Sequence, residues 1–308
     1  MRAVVAVRQG GPEVLELQEV PQPSVEPASD GQVLIRVASA GVNFADTLST
    51  RGLYAASPPP PFVPGLEVAG VAVEGGAPVM AILASGGYAE MAVADRRLVF
   101  PADGLDVAAA GGYLLVTLTA YYSLAEAVRV RPGESVLVTA GAGGLGSTAI
   151  QVARALGASR ITAVASTEEK RRYALEHGAD QAIGYEDAFP RTEVVFDSVG
   201  GDVFAKCLEA VPPLGRVALI GASSGSPPEV PGFDVLRRRN VGVFCFSFGM
   251  LRRADPGLVA LTAPRAVELL RSGRVRPPVG ETLPLEAAAE AHRRLVSRQT
   301  VGKVVLRP

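Results

Sequence analysis

Residues 140–146 read AGAGGLG, and they stand directly between an apolar, β-branched run, SVLVTA (135–140), and a helix-prone stretch, STAIQVARALGA (147–158). Gly141, Gly143 and Gly146 keep a Gly-x-Gly-x-x-Gly spacing. Glycine serves a different need at each place: a tight turn, close approach of backbone to an anion, and close packing of helix on strand. Gly144 and Leu145 then present N–H groups at the start of a helix, where the macrodipole favours negative charge. The chemistry implied is capture of a diphosphate. The plain alternative is a tight strand–helix turn that holds nothing.

The next strand, RITAVAS (160–166), ends without an acid at its tip: Ala165, Ser166 and Thr167 come first, and Glu168 and Glu169 follow on the helix. An acid there would hold a ribose 2′-hydroxyl. Ser166 and Lys170 suit a 2′-phosphate instead, and Tyr185 can pack on an adenine. Lys170 also reads as an ordinary solvated helix residue. Together these residues point to NADPH rather than NADH. Ser198 in FDSVGG, and Gly221 and Ala222 in GASSG (221–225), follow further strands at the carboxyl ends, where open α/β sheets bind ligands.

The elements that must hold these residues follow from the rest of the chain. Its 308 residues suggest about two domains. The first hundred read as short strands and turns: AVVAV (3–7), VLELQEV (14–20), QVLIRVAS (32–39) and 66–94, with ASPPPPFVPG (56–65) excluded from helix or central strand by its prolines. From 106 the pattern changes. A helix-prone stretch (106–128) precedes strands at 135–140, 160–166, 181–185, 193–201, 215–222 and 240–248, alternating with helices, which argues for a parallel sheet covered on both faces. The tail (264–308) reads as a helix, a proline-rich link, a second helix and a last strand. The division expected is 1–116 with 250–308, and 117–249.

Hydrophobic residues make up 48% and charged residues 20%, so a sizeable core is available and disorder is not expected. Net charge is -1, and the densest basic run is only Arg237–Arg239. A nucleic-acid surface needs a basic stripe, so nucleic acid is not an expected partner. No apolar run is long enough for a spanning helix, and the N-terminus lacks the apolar core of a signal peptide. The two cysteines, Cys207 and Cys245, sit in apolar runs that suggest packed free thiols and a reducing cytoplasm. A catalytic zinc takes three protein ligands. With only His177 and His292, both on expected helices, and no CxxC spacing, no metal is expected.

Several segments together resemble the medium-chain dehydrogenase/reductase superfamily, in its zinc-free quinone oxidoreductase or zeta-crystallin-like branch. They are AGVNFADT (40–47), RGLY (51–54), PFVPGLEVAGV (61–71), GGYAEMAVA (86–94), LTAYYSL (118–124), VRPGESVLVTAGAGGLG (130–146), FDSVGG (196–201) and VGKVVL (301–306), in family order over nearly the whole chain. The resemblance implies an α/β fold: a GroES-like β domain, completed by the C-terminal segment, and a doubly wound Rossmann domain across a cleft. In zinc-dependent relatives a cysteine stands near Val42–Asn43, and Gly-His-Glu stands where this chain has Gly65-Leu66-Glu67. Without that Lewis acid the acceptor must already be electrophilic, a quinone or an α,β-unsaturated carbonyl. A third reading, from crystallin-like relatives, is a protein that keeps NADPH without turnover.

The resemblance also suggests roles. Asn43 lines the nicotinamide side and bonds a substrate carbonyl or cofactor ribose, or else is an Asx-turn residue. Asp46 is expected to be structural, at a helix start. Tyr54 orients the acceptor and supplies a proton, or simply packs. Thr119 lies under the nicotinamide. Phe246, with Cys245 and Ser247, walls its pocket, although core packing explains such a run equally well. Arg298 and Lys303 are further candidates for phosphate contact. The apolar strand at 240–248 is expected to pair with its symmetry mate in a homodimer.

Overall fold

The computed structural model describes residues 1–24, 31–54 and 57–308. They divide into two compact units, Met1–Leu115 with Gly249–Gly273 and Val279–Pro308, and Val116–Phe248 with Arg274–Pro278. Arg274–Pro278 thus groups with the second unit although it lies outside 117–249.

In the first unit, β1 (Arg2–Ala6) and β2 (Leu15–Glu19) form an antiparallel pair. The long strand β3 (Gln32–Val42) runs into α1 (Phe44–Thr50), and β4 (Glu67–Ala72), β5 (Pro78–Ile82), β6 (Met91–Asp95) and β7 (Val99–Pro101) follow. Between Pro60 and Val63, only Phe62 touches the ladder, through a bridge to Ala6, as proline content requires; residue 56 of that stretch lies outside the described residues. The expected helix at 106–128 is three pieces: α2 (Val107–Ala110), α3 (Leu114–Tyr121) and a π-helical segment at Tyr122–Ala127. Gly111 and Gly112 break the first junction, and buried Ser123 bonds back to the Thr119 carbonyl at the second.

The second unit begins its sheet with β8 (Ser135–Val138), followed by α4 (Gly144–Ala155), β9 (Arg160–Val164), α5 (Glu168–Glu176), β10 (Gln181–Ile183), β11 (Val194–Asp197), α6 (Gly201–Ala210), β12 (Arg216–Leu219), α7 (Phe233–Arg239) and β13 (Gly242–Cys245). All six strands are parallel, in the order β10-β9-β8-β11-β12-β13. Numbered within this sheet the order is 3-2-1-4-5-6, the doubly wound dinucleotide-binding arrangement. The central strands are continuous apolar runs because both faces are covered; Val136, Leu137, Val138, Val194, Val195 and Phe196 are all fully buried. The last strand ends earlier than expected. After the Phe246 N–H bonds Leu219 O, the chain leaves the ladder for α8 (Phe248–Ala254), so Phe246 lies just past the strand. Cys245 is exposed, correcting its reading as a packed thiol, because β13 is a sheet edge.

Helix α9 (Pro256–Arg271) starts at the Asp255 cap, earlier than the expected start at Pro264, and carries that proline inside it. The chain then returns to the first sheet through β14 (Val279–Pro284), α10 (Ala288–Val296) and β15 (Lys303–Arg307). The antiparallel register of β15 on β3 sets Val304 opposite Val42. That register brings Lys303 beside Asn43. The first core gathers Ile35, Val68, Leu83, Tyr88, Ala291 and Leu306.

Candidate functional site

The glycine loop turns as its residue types demand. Gly143 caps α4 in an extended conformation, without a side chain to satisfy the helix's first N–H groups. Those of Gly144, Leu145 and Gly146 therefore have no intrahelical partner. A Cβ on Gly146 would overlap the Ala140 carbonyl oxygen and stand 2.8 Å from its carbon. A Cβ on Gly141 would lie 2.7 Å from the Ala163 methyl. Gly143 differs: a Cβ there meets only Ala140 O, at an ordinary 3.4 Å. Internal packing does not demand glycine at 143, whereas close approach by a ligand would.

The loop is pinned from both sides. Tyr185 Oη accepts the Ala140 N–H at 3.1 Å, so this tyrosine's hydroxyl holds the loop. Asp197, fully buried at the end of β11, accepts from Thr139 Oγ1 at 2.8 Å, Val199 N–H at 2.9 Å and Gly200 N–H at 3.2 Å. Burial raises the Asp197 pKa against these three bonds. The Thr139–Asp197 pair joins the carboxyl ends of β8 and β11, and sequence reasoning missed it. An acid closing an apolar strand run was the available signal. Next to it, Ser223 N–H bonds Ser198 O at 3.2 Å and Ser224 N–H bonds Val199 O at 3.0 Å, which sets Ser198 against the Gly221–Ala222 turn.

At the tip of β9, Ser166 is exposed and Lys170 half-buried; Thr167 caps α5 by accepting the Lys170 N–H at 3.2 Å. Arg171 was also missed. Its guanidinium reaches back to Ala165 O at 3.5 Å while pairing with Glu168 at 3.0 Å, placing a further cation at this tip. Elsewhere in the unit, half-buried Phe246 stacks on Tyr122, with ring planes 9° apart and centroids at 6.3 Å. Thr119 lies three residues before Tyr122, one turn earlier on the same helical face. Cys245 and Ser247 flank Phe246, both exposed. Cys207 is packed in the core, and burial pushes its thiol pKa well up, so it is not a nucleophile.

In the first unit, the Asn43 amide is already engaged. Its Nδ2 donates to Glu67 Oε1 at 3.0 Å and Gly41 O at 3.3 Å, and its Oδ1 accepts from Lys303 Nζ at 2.7 Å. Lys303 is 3% exposed and also donates to Val42 O and to Glu67 Oε1, each at 3.0 Å. All three ammonium hydrogens are used. The expectation of a phosphate contact at Lys303 is therefore corrected: β15 carries it inward, where it neutralises the fully buried Glu67. The other oxygen of Glu67 accepts the Leu115 N–H at 2.9 Å. Arg298, the other phosphate candidate, is exposed just after α10, in a left-handed conformation with φ 59°.

Asp46 is structural in part, as expected: its Oδ2 accepts the Asn43 N–H at 2.8 Å and the Tyr88 hydroxyl at 3.0 Å. Tyr88 Oη lies 3.1 Å from His292 Nε2. Burial pushes Asp46 up to about 7 and His292 down to about 4. The two act oppositely on stability. Asp46's raised value contributes stability that is full below 3.8 and lost as pH rises through 7. His292's lowered value contributes stability that is full above 6.5 and lost as pH falls through 4. Between about pH 4 and 6.5 the folded chain holds one proton the unfolded chain has released and lacks one it has gained, so the slopes cancel. Against wild type, Asp46→Asn should lose on the order of 2–3 kcal/mol between pH 6.5 and 4, and His292→Gln should gain a similar amount. Urea midpoints at several pH values check this; parallel profiles for all three proteins would contradict it.

Tyr54 follows α1, half-buried, and burial raises its pKa. Among the described residues no group of three or more His, Cys, Asp and Glu side chains gathers in a way that could hold a metal.

Two family models match this chain: the alcohol dehydrogenase GroES-like domain over residues 29–104 and zinc-binding dehydrogenase over residues 177–306. Among curated relatives, a quinone oxidoreductase of Pseudomonas aeruginosa is 34% identical over 330 residues, covering 97% of either chain. The structure of quinone oxidoreductase from Thermus thermophilus, described with its NADPH complex, superposes with a TM-score of 0.87 at 36% identity, covering 100% of both chains. That of Escherichia coli quinone oxidoreductase complexed with NADPH gives 0.86 at 29% identity, again over 100% of both.

Proposed function

Because this chain belongs to the medium-chain dehydrogenase/reductase superfamily, in its quinone oxidoreductase branch, we propose that it is an NADPH-dependent reductase that delivers a hydride to a quinone without a metal. The observation that carries the reading is the bare helix start behind Gly143, a cradle whose own packing leaves room where a diphosphate would sit. NADPH supplies the hydride when bound. The N–H groups of Gly144, Leu145 and Gly146 hold its diphosphate, and Ser166, Lys170 and Arg171 its 2′-phosphate. Thr119, Phe246, Cys245 and Ser247 would line the nicotinamide, and Ser198, Gly221 and Ala222 would contact the cofactor at the carboxyl ends of their strands. Lys303 fixes the Asn43 amide through its Oδ1, and Tyr54 is the proton source. Metal independence is supported by Glu67: Lys303, Asn43 and Leu115 engage both its oxygens, and Leu66 precedes it where zinc-dependent relatives carry histidine.

NADPH oxidation by the purified chain against a panel of quinones and enones tests the reading. Turnover with quinones supports it, preference for enones moves it to an alkenal reductase, and tight NADPH binding without turnover to a storage protein. Zinc in stoichiometric amount, removed by chelation together with activity, would overturn the metal-free part. Ser166→Asp should raise Kd for NADPH roughly tenfold or more by placing a carboxylate against the 2′-phosphate, and should favour NADH. Unchanged NADPH affinity would refute the contact.

We further propose a homodimer through β13. Among the described residues it is the edge of its sheet, paired with β12 alone, and it exposes Phe244 at 46%. An uncovered strand edge invites a second copy. Light scattering at working concentration should give twice the chain mass, and a monomer would refute it. The two free thiols suit a reducing cytoplasm, our proposed location; among the described residues no helix is long and apolar enough to cross a membrane.

A further inference from the structure

Helix α8 carries a buried arginine that no role above uses. Arg252 is 7% exposed. Its Nη1 donates to the Leu83 carbonyl, just past β5, and its guanidinium lies near enough to the Tyr54 hydroxyl for each to favour the other's charged form. Burial disfavours its charge, while Tyr54 and Asp46 favour it. A guanidinium does not give up its proton in a protein, so this is a permanent cation withdrawn from water. For Tyr54 the balance is mirrored: burial raises its pKa and Arg252 opposes the rise.

The other support for the tyrosine is a missing side chain. A Cβ on Gly249 would collide with the Tyr54 hydroxyl and stand 2.8 Å from Cζ of its ring. Gly249 and Arg252 are one turn apart on α8, so a single helical face both admits the phenol and brings a cation near its oxygen. A tyrosine that only fills space needs neither a buried cation at its oxygen nor a glycine beneath it.

We propose that Arg252 is a positioning residue for proton delivery by Tyr54, fixing the hydroxyl and stabilising the phenolate it leaves. The proposal rests on the reading of this chain as a reductase of conjugated carbonyls. When a quinone accepts a hydride, the electron pair leaves a hydroquinone monoanion. The Tyr54 O–H bond breaks, an O–H bond forms on the charged acceptor oxygen, and the phenolate remains beside the guanidinium until solvent returns a proton. One hydride and one proton convert one quinone to one hydroquinone.

Steady-state kinetics on the full chain with NADPH and benzoquinone test this. Tyr54→Phe and Arg252→Met should each lower kcat roughly tenfold or more, with NADPH affinity unchanged. The double variant should be no slower than Tyr54→Phe alone, because both changes remove one function. Arg252→Met should also enlarge the solvent deuterium isotope effect on kcat, and should not do so in the Tyr54→Phe background; a purely structural arginine would leave that effect alone. Should Arg252→Met fold poorly, Gly249→Ala approaches from the other side and should match Tyr54→Phe, while Arg252→Lys should keep part of the rate. Losses that multiply in the double variant, or full activity in Arg252→Met or Gly249→Ala, would overturn the proposal. A wild-type chain that oxidises NADPH with no quinone or enone would instead remove the underlying reading.

Discussion

Gly146→Ala will weaken the fold and NADPH binding together, while Gly143→Ala will weaken binding alone. The added methyl at 146 meets the Ala140 carbonyl, a backbone group that cannot rotate away. The start of α4 must shift off β8, a strain of about 1–3 kcal/mol. The same shift re-aims the N–H groups of Gly144 and Leu145. Two charge-assisted hydrogen bonds are worth about 1.5–3 kcal/mol each, so affinity should drop by a factor on the order of a hundred or more. At 143 the backbone, φ -77° and ψ 165°, suits alanine, and the methyl makes only an ordinary contact. Apo stability should then hold within about 0.5 kcal/mol, while the methyl intrudes on the diphosphate and costs at least roughly tenfold in Kd by steric overlap. Thermal denaturation without ligand and calorimetric titration with NADPH separate the two variants. Equal apo stabilities, or unchanged affinity in Gly143→Ala, would contradict the assignment.

Lys303→Met should destabilise the chain by about 3–5 kcal/mol, because it leaves a buried carboxylate without its cation. Total stabilities of domains are only about 5–15 kcal/mol, so the loss will be plain in a urea titration. Lys303→Met combined with Glu67→Gln should recover most of it. A glutamine at 67 still accepts from Leu115 N–H, and since Asn43 presents its Nδ2 to that side, the Asn43 amide turns over to accept the new N–H at Oδ1, which pairs the two amides without charge. A single variant as stable as wild type would show that the pair is not the buried ion pair described. The double variant isolates a second effect: with the ammonium gone the Asn43 amide is held in the opposite orientation, and kcat/KM for quinone should fall although stability has returned.

Local features were legible because their whole physics lies on contiguous residues. The glycine loop announces itself by an apolar run ending, three spaced glycines and a helix beginning, all within residues 135–158. The alternation after residue 130 was likewise readable, since a parallel strand buried on both faces must be apolar throughout. Features built from distant residues were not. Lys303 lies 260 positions from Asn43 and 236 from Glu67, and from the sequence it was taken for a phosphate contact. His292 and Tyr88 are 204 apart. Cys245 and the early end of β13 escaped because exposure at a sheet edge depends on which strand comes last, and that is topology.

Residue types and spacing alone determined the α/β class, the glycine turn between β8 and α4 and the lack of an acid at the tip of β9. Each of these is a property of a short stretch of chain and its own hydrogen bonds. The tertiary structure decided which charges are interior. Lysine and glutamate are chemically the same at the surface and in the core, and only the register of β15 on β3 turns one of each inward, where low dielectric makes each require the other.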